Sequence, residues 1–233
     1  MRPSLFTPFQ VLFRRSALER RCRWRGIGFE LQSSGLGDAL DPDGADLYYI
    51  GGGQDRDQRL CALDLAEVKR DALHEVAARN GVILAVCGGY QLLGESYEMG
   101  TLVLPGVGLV DLRTVREPGP RLIGNCAIEA DLGTGPRVIA GFENHGGRTY
   151  LGAGEQPLGR VIKGFGNNGK DGFEGVLRGN TIGTYLHGPL LPKNIWLADR
   201  LIELALDTEL EPLADDSLEE AAHLSARRAA GVA

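Results

Sequence analysis

From residue 45 onward the apolar positions change between two rhythms, continuous short runs and helical repeats. Residues 45–50 (ADLYYI) form an apolar run that stops at Gly51-Gly52-Gly53, the pattern of a buried strand entering a turn. Between Asp57 and Asn80, Leu60, Leu63, Val68, Leu73 and Val76 recur at three- and five-residue spacings. That predicts one amphipathic helix closed by Asn80-Gly81. Residues 82–86 (VILAV) are uninterruptedly apolar, as in a parallel strand covered on both faces. Strand, helix and strand in this order make a βαβ unit and imply a parallel sheet.

Residues 101–186 alternate β-like runs with glycine turns, as in RLIGNCAIEA, PRVIAGFE and TIGTYLH. A further amphipathic helix is expected over 194–206, with Leu197, Leu201 and Leu204 on one side. The acidic, alanine-rich stretch 207–233 reads as a loose helix or a frayed end. The expected fold class is α/β: one domain, 1–206, with a central, mostly parallel sheet flanked by helices, and a tail, 207–233.

Composition narrows this only in places. At 233 residues, 43% hydrophobic and 24% charged, the chain has ordinary globular values and the length to bury about 70% of its unfolded surface. Its net charge of −6 argues against non-specific nucleic-acid binding. The basic run from Arg14 to Arg25 reads as the solvated face of a helix. No apolar stretch is long enough for a membrane span, and Pro8 and Gln10 break up the mildly apolar start, so no signal peptide is expected. Cys22, Cys61, Cys87 and Cys126 contain no C-x-x-C pair, which argues against a zinc site or redox motif and for reduced thiols in a cytoplasmic protein. The unusual figure is 34 glycines, about twice the usual share. Without a Gly-X-Y period, that excess means tight turns and close backbone approaches.

The segment GVILAVCGGYQLLG (81–94) carries the chemistry. A buried strand runs into Cys87, then Gly88-Gly89, then helix-forming residues. This is the grammar of a nucleophile elbow, a sharp strand-to-helix turn that presents one side chain at the sheet's carboxyl edge. A helix N-terminus beyond it favours the thiolate. The other three cysteines have no such setting and read as core residues. A thiol nucleophile needs a base, and the histidines are His74, His145, His187 and His223. His74 and His223 read as solvent-facing. His187 ends a strand-like run beside Gly188-Pro189, and His145 lies in the polar loop GFENHGGRT; spacing alone puts His187 ahead and leaves both open.

Taken together, AVCGGYQLLG, the preceding GGGQD and the later TYLHGPLLPKN resemble the cobyric-acid-type class I glutamine amidotransferases. GFENHGGRT, GNNGKDGFEGV and IGTYLHGPLLPKNIWLAD narrow the resemblance to the glutaminase subunits of lipid II isoglutaminyl synthases. It spans roughly residues 45–206. It implies that Cys87 attacks the side-chain amide of L-glutamine and that His187 is the general base and acid. It also implies backbone oxyanion donors at Gly52 and Gly88, and substrate contacts from Arg121 and Gln91. Asn144 and His145 become a family motif that orders a loop near the cleft. The implied partner is a MurT-like Mur ligase subunit that carries ATP and Mg and amidates the α-carboxyl of D-glutamate in the lipid II stem peptide. No cofactor or metal is expected on this chain, which has no Walker A sequence.

Two departures stand out. The position two after His187, where the class usually places an orienting acid, is Pro189. Residues 1–13 do not resemble the family's opening strand. Two other readings remain open, a glutaminase of cobyrinic-acid (corrin) amidation and an inactive binding module with the same fold.

Overall fold

The computed structural model describes residues 4–7, 12–52 and 55–232, with side chains over 17–52 and 58–232. Gly53 of the predicted turn lies outside the described residues. A six-stranded sheet forms the centre, in the order β13 (Val176–Arg178), β14 (Thr181–Thr184), β4 (Val82–Val86), β3 (Leu47–Ile50), β1 (Ser4–Thr7), β2 (Glu30–Ser33). Every neighbouring pair is parallel except β13 with β14. β1 pairs with both β2 and β3, so the opening residues do supply a strand to this sheet, contrary to the expectation from their sequence.

Alternation along β3 and β4 assigns the two faces. Leu47, Tyr49, Val82, Leu84 and Val86 pack with Leu18 and Cys22 of α1 (Leu12–Trp24) and Leu197 and Leu201 of α6 (Ile195–Leu206). Tyr48, Ile50, Ile83 and Ala85 pack with Ala62 and Leu65 of α2 (Asp55–Glu67) and Leu73 and Val76 of α3 (Arg70–Ala78). A strand clad on both faces has no polar side, which is why 82–86 is continuously apolar.

The region read as β-like runs builds two further four-stranded sheets. One has the order β10 (Arg148–Leu151), β7 (Leu112–Val115), β5 (Ser96–Met99), β6 (Leu102–Pro105). The other has the order β12 (Phe173–Glu174), β11 (Gly159–Lys163), β8 (Leu122–Ala130), β9 (Arg137–His145). The helix α4 (Gly88–Gln91) follows β4, and α5 (Leu190–Lys193) precedes α6. The tail forms α7 (Ser217–Ala229), which buries Ala226.

Three local expectations need correcting. The helix expected over 57–80 is two helices, and the break falls beside Lys69. That side chain is buried on Asp64 and the Gly35 carbonyl, and Leu60 and Val68 of the expected apolar stripe are exposed. The basic run is not simply a solvated face. Arg21 is 1% exposed, gripped by Asp199 of α6 and by Asp216 at the start of α7, and Arg25 also reaches Asp199. His74 is half-buried against the Val107 carbonyl oxygen, and His223 against that of Lys193.

Arg21 therefore ties three helices together, and its loss leaves two largely buried carboxylates short of a partner. Breaking a buried pair from one side typically costs about 3–5 kcal/mol. Asp199 keeps Arg25, so Arg21→Met should cost about 3 kcal/mol, the lower end of that range. Urea denaturation checks this: the midpoint should fall with an unchanged slope, and a loss under about 1 kcal/mol would show that the network is hydrated.

Candidate active site

Cys87 leaves the end of β4 with φ 55° and ψ −109°, a conformation that L residues with side chains rarely adopt. Strain of this kind typically costs about 1–3 kcal/mol and persists only where the surroundings enforce it. Here the Cys87 N–H donates to the Thr184 carbonyl at 2.9 Å, and its own carbonyl accepts the Gln91 N–H at 3.1 Å. The chain then turns at once into α4, which is only four residues long. The expected elbow is present, with a shorter helix behind it.

Two glycines allow the elbow to close. A Cβ on Gly89 would collide with the Ile50 carbonyl oxygen, so α4 sits against β3 only without a side chain there. A Cβ on Gly52 would stand 3.0 Å from the Cys87 Cβ and 3.3 Å from the Gly88 nitrogen. The two expected oxyanion positions, Gly52 and Gly88, thus lie against each other beside Cys87.

β14 runs parallel to β4 with Thr184 opposite Val86, so the segments beyond the two strands emerge at the same edge of the sheet. Cys87 continues one, and Tyr185, Leu186 and His187 continue the other. His187 pairs with Phe142 of β9 through both backbone groups, at 2.9 and 3.0 Å, and its ring meets the Phe142 ring edge-on at 6.1 Å. Cys87 and His187 are both half-buried.

The other cysteines differ. Burial pushes the Cys22 thiol up to about 11 and holds the Cys126 thiol far above its ordinary range, and Cys61 is buried too. Burial of this kind disfavours the thiolate at Cys22 and Cys126.

His145 occupies a different environment. It is 1% exposed, stacked on Tyr185 with ring centroids 3.5 Å apart, and its Nδ1 is 2.8 Å from the Gly147 carbonyl oxygen. Its Nε2 has no hydrogen-bond partner and lies 3.6 Å from the buried carboxylate of Glu143. Between the two histidines that spacing left open, this one backs the wall while His187 sits at the edge.

Gln91 is also buried. Its carboxamide oxygen accepts from Gln58 at 2.8 Å and its nitrogen donates to the Tyr185 hydroxyl at 3.2 Å. The chain continues from Tyr185 to Thr149 at 2.6 Å and on to Thr114 at 2.8 Å. A Cβ on Gly147 would come within 2.6 Å of the Gln91 nitrogen, so the GFENHGG turn presses on this residue. Arg121 is exposed and anchored to Asn144, its Nε donating to the side-chain oxygen at 2.8 Å and one terminal nitrogen to the carbonyl at 2.9 Å. Asn144 directly precedes His145, so Arg121 and Gln91 flank the same turn. Pro189, where an orienting acid was looked for, instead occupies the N-cap of α5.

Sequence reasoning missed the buried carboxyls. Glu143 accepts the Phe165 and Gly166 N–H groups, at 2.6 and 3.0 Å. Glu174 accepts the Tyr185 N–H at 2.6 Å and the Thr184 hydroxyl at 2.9 and 3.1 Å. Both are fully buried. The available signal was the repeated Gly-Phe-Glu, an acid set among apolar and glycine positions of a strand. Among the described residues, no cluster of His, Cys, Asp or Glu could hold a metal ion.

A central parallel sheet with a strained cysteine at its carboxyl edge and a histidine leaving the adjacent strand defines an enzyme of the glutamine amidotransferase class. The CobB/CobQ-like glutamine amidotransferase domain matches residues 4–195, and the chain belongs to that family. It is 39% identical over 215 residues to the lipid II isoglutaminyl synthase (glutamine-hydrolyzing) subunit GatD of Staphylococcus aureus strain N315, covering 91% of this chain and 85% of that one. The GatD subunit of Streptococcus pneumoniae strain R6 is 40% identical over 172 residues, covering 73% and 65%. A probable cobyric acid synthase of Methanothermobacter thermautotrophicus is 32% identical over 65% of this chain and 31% of its own length. Among solved structures, PurLQS from Thermotoga maritima matches with a TM-score of 0.59 at 20% identity, over 89% of this chain and 99% of that one, which supports the fold.

Glu174 has a consequence for stability. Burial is the main cause that pushes its carboxyl up from 4.5 to about 8, and the charge of Glu143 acts in the same direction. The folded chain therefore holds a proton that the unfolded chain releases, and stability falls as pH rises from about 4.5 to about 8. The slope from one such group approaches about 1.4 kcal/mol per pH unit. Glu174→Gln, which cannot ionise, should gain on the wild type across this window and level off above it. Urea midpoints at pH 5.5, 7 and 8.5 check this; a constant difference would show that the carboxyl ionises as freely in the fold as out of it.

Proposed function

We propose that this chain is the glutamine-hydrolysing subunit of a lipid II isoglutaminyl synthase. The observation that carries the mechanism is the strained Cys87 at the end of β4, with His187 leaving the neighbouring strand at the same edge. Cys87 attacks the side-chain amide carbon of L-glutamine as a thiolate, and His187 holds the thiol proton. The backbone N–H groups of Gly88 and Gly52 take the oxyanion as the carbonyl becomes tetrahedral. The carbon–nitrogen bond then breaks, and the leaving amine takes the proton from His187 and departs as ammonia. His187 next deprotonates a water that attacks the thioester. Glutamate leaves and Cys87 regains its proton.

Arg121 binds the substrate α-carboxylate through the donors that Asn144 leaves available. Gln91 contacts the substrate glutamine by exchanging one of the bonds by which Gln58 and Tyr185 hold its buried carboxamide. Ammonia passes to a MurT-like Mur ligase subunit, which supplies ATP and Mg and amidates the α-carboxyl of D-glutamate in the stem peptide of lipid II. The GatD relatives support this acceptor over corrin amidation: their similarity reaches 91% of the chain, against 65% for the cobyric acid synthase.

Cys87→Ala should remove glutaminase activity, by about a thousandfold or more, while leaving the fold intact. Ammonia release at the wild-type rate in that variant would overturn the mechanism. His187→Ala should fall as far in kcat. His145→Ala should lose less in kcat and more in stability, because it removes a stacked core ring. Equal kcat losses for the two histidines, measured with melting temperatures alongside, would remove the distinction between them.

A further inference from the structure

We propose that Glu174 is a positioning residue for the Cys87–His187 pair and acts through the hydroxyl of Thr184. The inference rests on the reading of that pair given above. It starts from the end of β14. The ladder with β4 stops at Thr184 opposite Val86, and beyond it the Tyr185 and Leu186 N–H groups are not taken up by β4. Buried backbone donors without partners are costly.

Here side chains supply the missing partners. The Glu174 carboxyl receives the Tyr185 N–H, and the Thr184 hydroxyl receives the Leu186 N–H at 3.0 Å. That hydroxyl in turn points at Glu174, at 2.9 and 3.1 Å. The next residue, His187, is held by Phe142. On the other side, the carbonyl of the same Thr184 receives the Cys87 N–H. One carboxyl and one hydroxyl thus fix the three residues that lead to His187 and the carbonyl that holds the strained Cys87.

A buried carboxyl is an expensive way to fill space. An apolar side chain at 174 would leave the Tyr185 N–H without this partner and the Thr184 hydroxyl without its acceptor. A misplacement of about 1 Å in such a pair can cost roughly a hundredfold in rate. The arrangement therefore belongs to the chemistry as well as to the fold.

The test uses the full-length chain, assayed with its ligase partner, with rates normalised to Cys87 thiols titrated by iodoacetamide. Thr184→Val removes the hydroxyl and keeps the shape, and Thr184→Ser keeps the hydroxyl. Thr184→Val should lower kcat about tenfold or more with KM for glutamine within about twofold, and raise the pH of half-maximal Cys87 alkylation. Thr184→Ser should recover most of kcat. Glu174→Ala should repeat the Thr184→Val pattern and Glu174→Gln should recover it; if Glu174→Ala does not fold, the Thr184 pair decides. A Thr184→Val enzyme with normal kcat per titrated thiol and an unmoved alkylation profile overturns the proposal. So does a kcat loss that Thr184→Ser does not recover. Cys87→Ala, run alongside, separates the two ideas: if it retains activity, the reading of the pair has failed instead.

Discussion

Parallel pairing of β4 with β14 is the constraint on which the rest of the site depends. Two parallel strands in register deliver their next residues to the same edge of a sheet, whatever those residues are. Thr184 opposite Val86 sets that register, and the Cys87 N–H to Thr184 carbonyl bond extends it by one step into the turn. A slip of one residue would turn Val82, Leu84 and Val86 from the α1 and α6 side to the α2 and α3 side, which the alternation of both cores forbids. The core thus specifies the chemistry's geometry at one remove: burying the two faces of β4 correctly leaves Cys87 and the His187 segment side by side.

The elbow then stores strain that the sheet has to hold. Its φ of 55° is kept by hydrogen bonds on both sides of Cys87, by Gly89, where a side chain would strike the Ile50 carbonyl, and by Gly52, where a Cβ would crowd the Cys87 Cβ. Behind it, the wall is polar, with Gln58, Gln91, Tyr185, Thr149 and Thr114 joined in one buried chain. Satisfied networks of this kind fix a unique arrangement where an apolar core would tolerate repacking.

The legible parts of the sequence were those where one element dictates one pattern. β3, β4 and α6 were readable because each buries a continuous run or a single helical stripe, and Cys87 because strand, cysteine and glycine pair stand together. What escaped depended on partners distant in sequence. Lys69 breaks the expected long helix because Asp64 and the Gly35 carbonyl draw it inward. Arg21 is buried because Asp199 and Asp216, far along the chain, meet it. Glu143 and Glu174 look like ordinary strand residues until the fold folds their carboxyls against backbone N–H groups. Single-residue patterns carry no information about such pairings. The opening strand β1 was hidden for a related reason: its place is set by neighbours on both sides, and four residues are too few to show a period.

These buried acids explain why the fold does not minimise its own cost. Glu174, held near pH 8 by burial, makes the folded state less stable at neutral and alkaline pH than an uncharged residue would. Yet the same carboxyl meets the Tyr185 N–H and the Thr184 hydroxyl at the point where the sheet ladder ends. Gln91 and His145 are likewise enclosed polar side chains, and both meet Tyr185, one residue beyond β14. Part of the desolvation cost thus falls at the strand ends that carry the site, while the Arg21 and Lys69 ion pairs place further buried charge elsewhere in the fold. At the β4 and β14 ends that burial holds in line two segments that an apolar filling would leave without partners for their N–H groups.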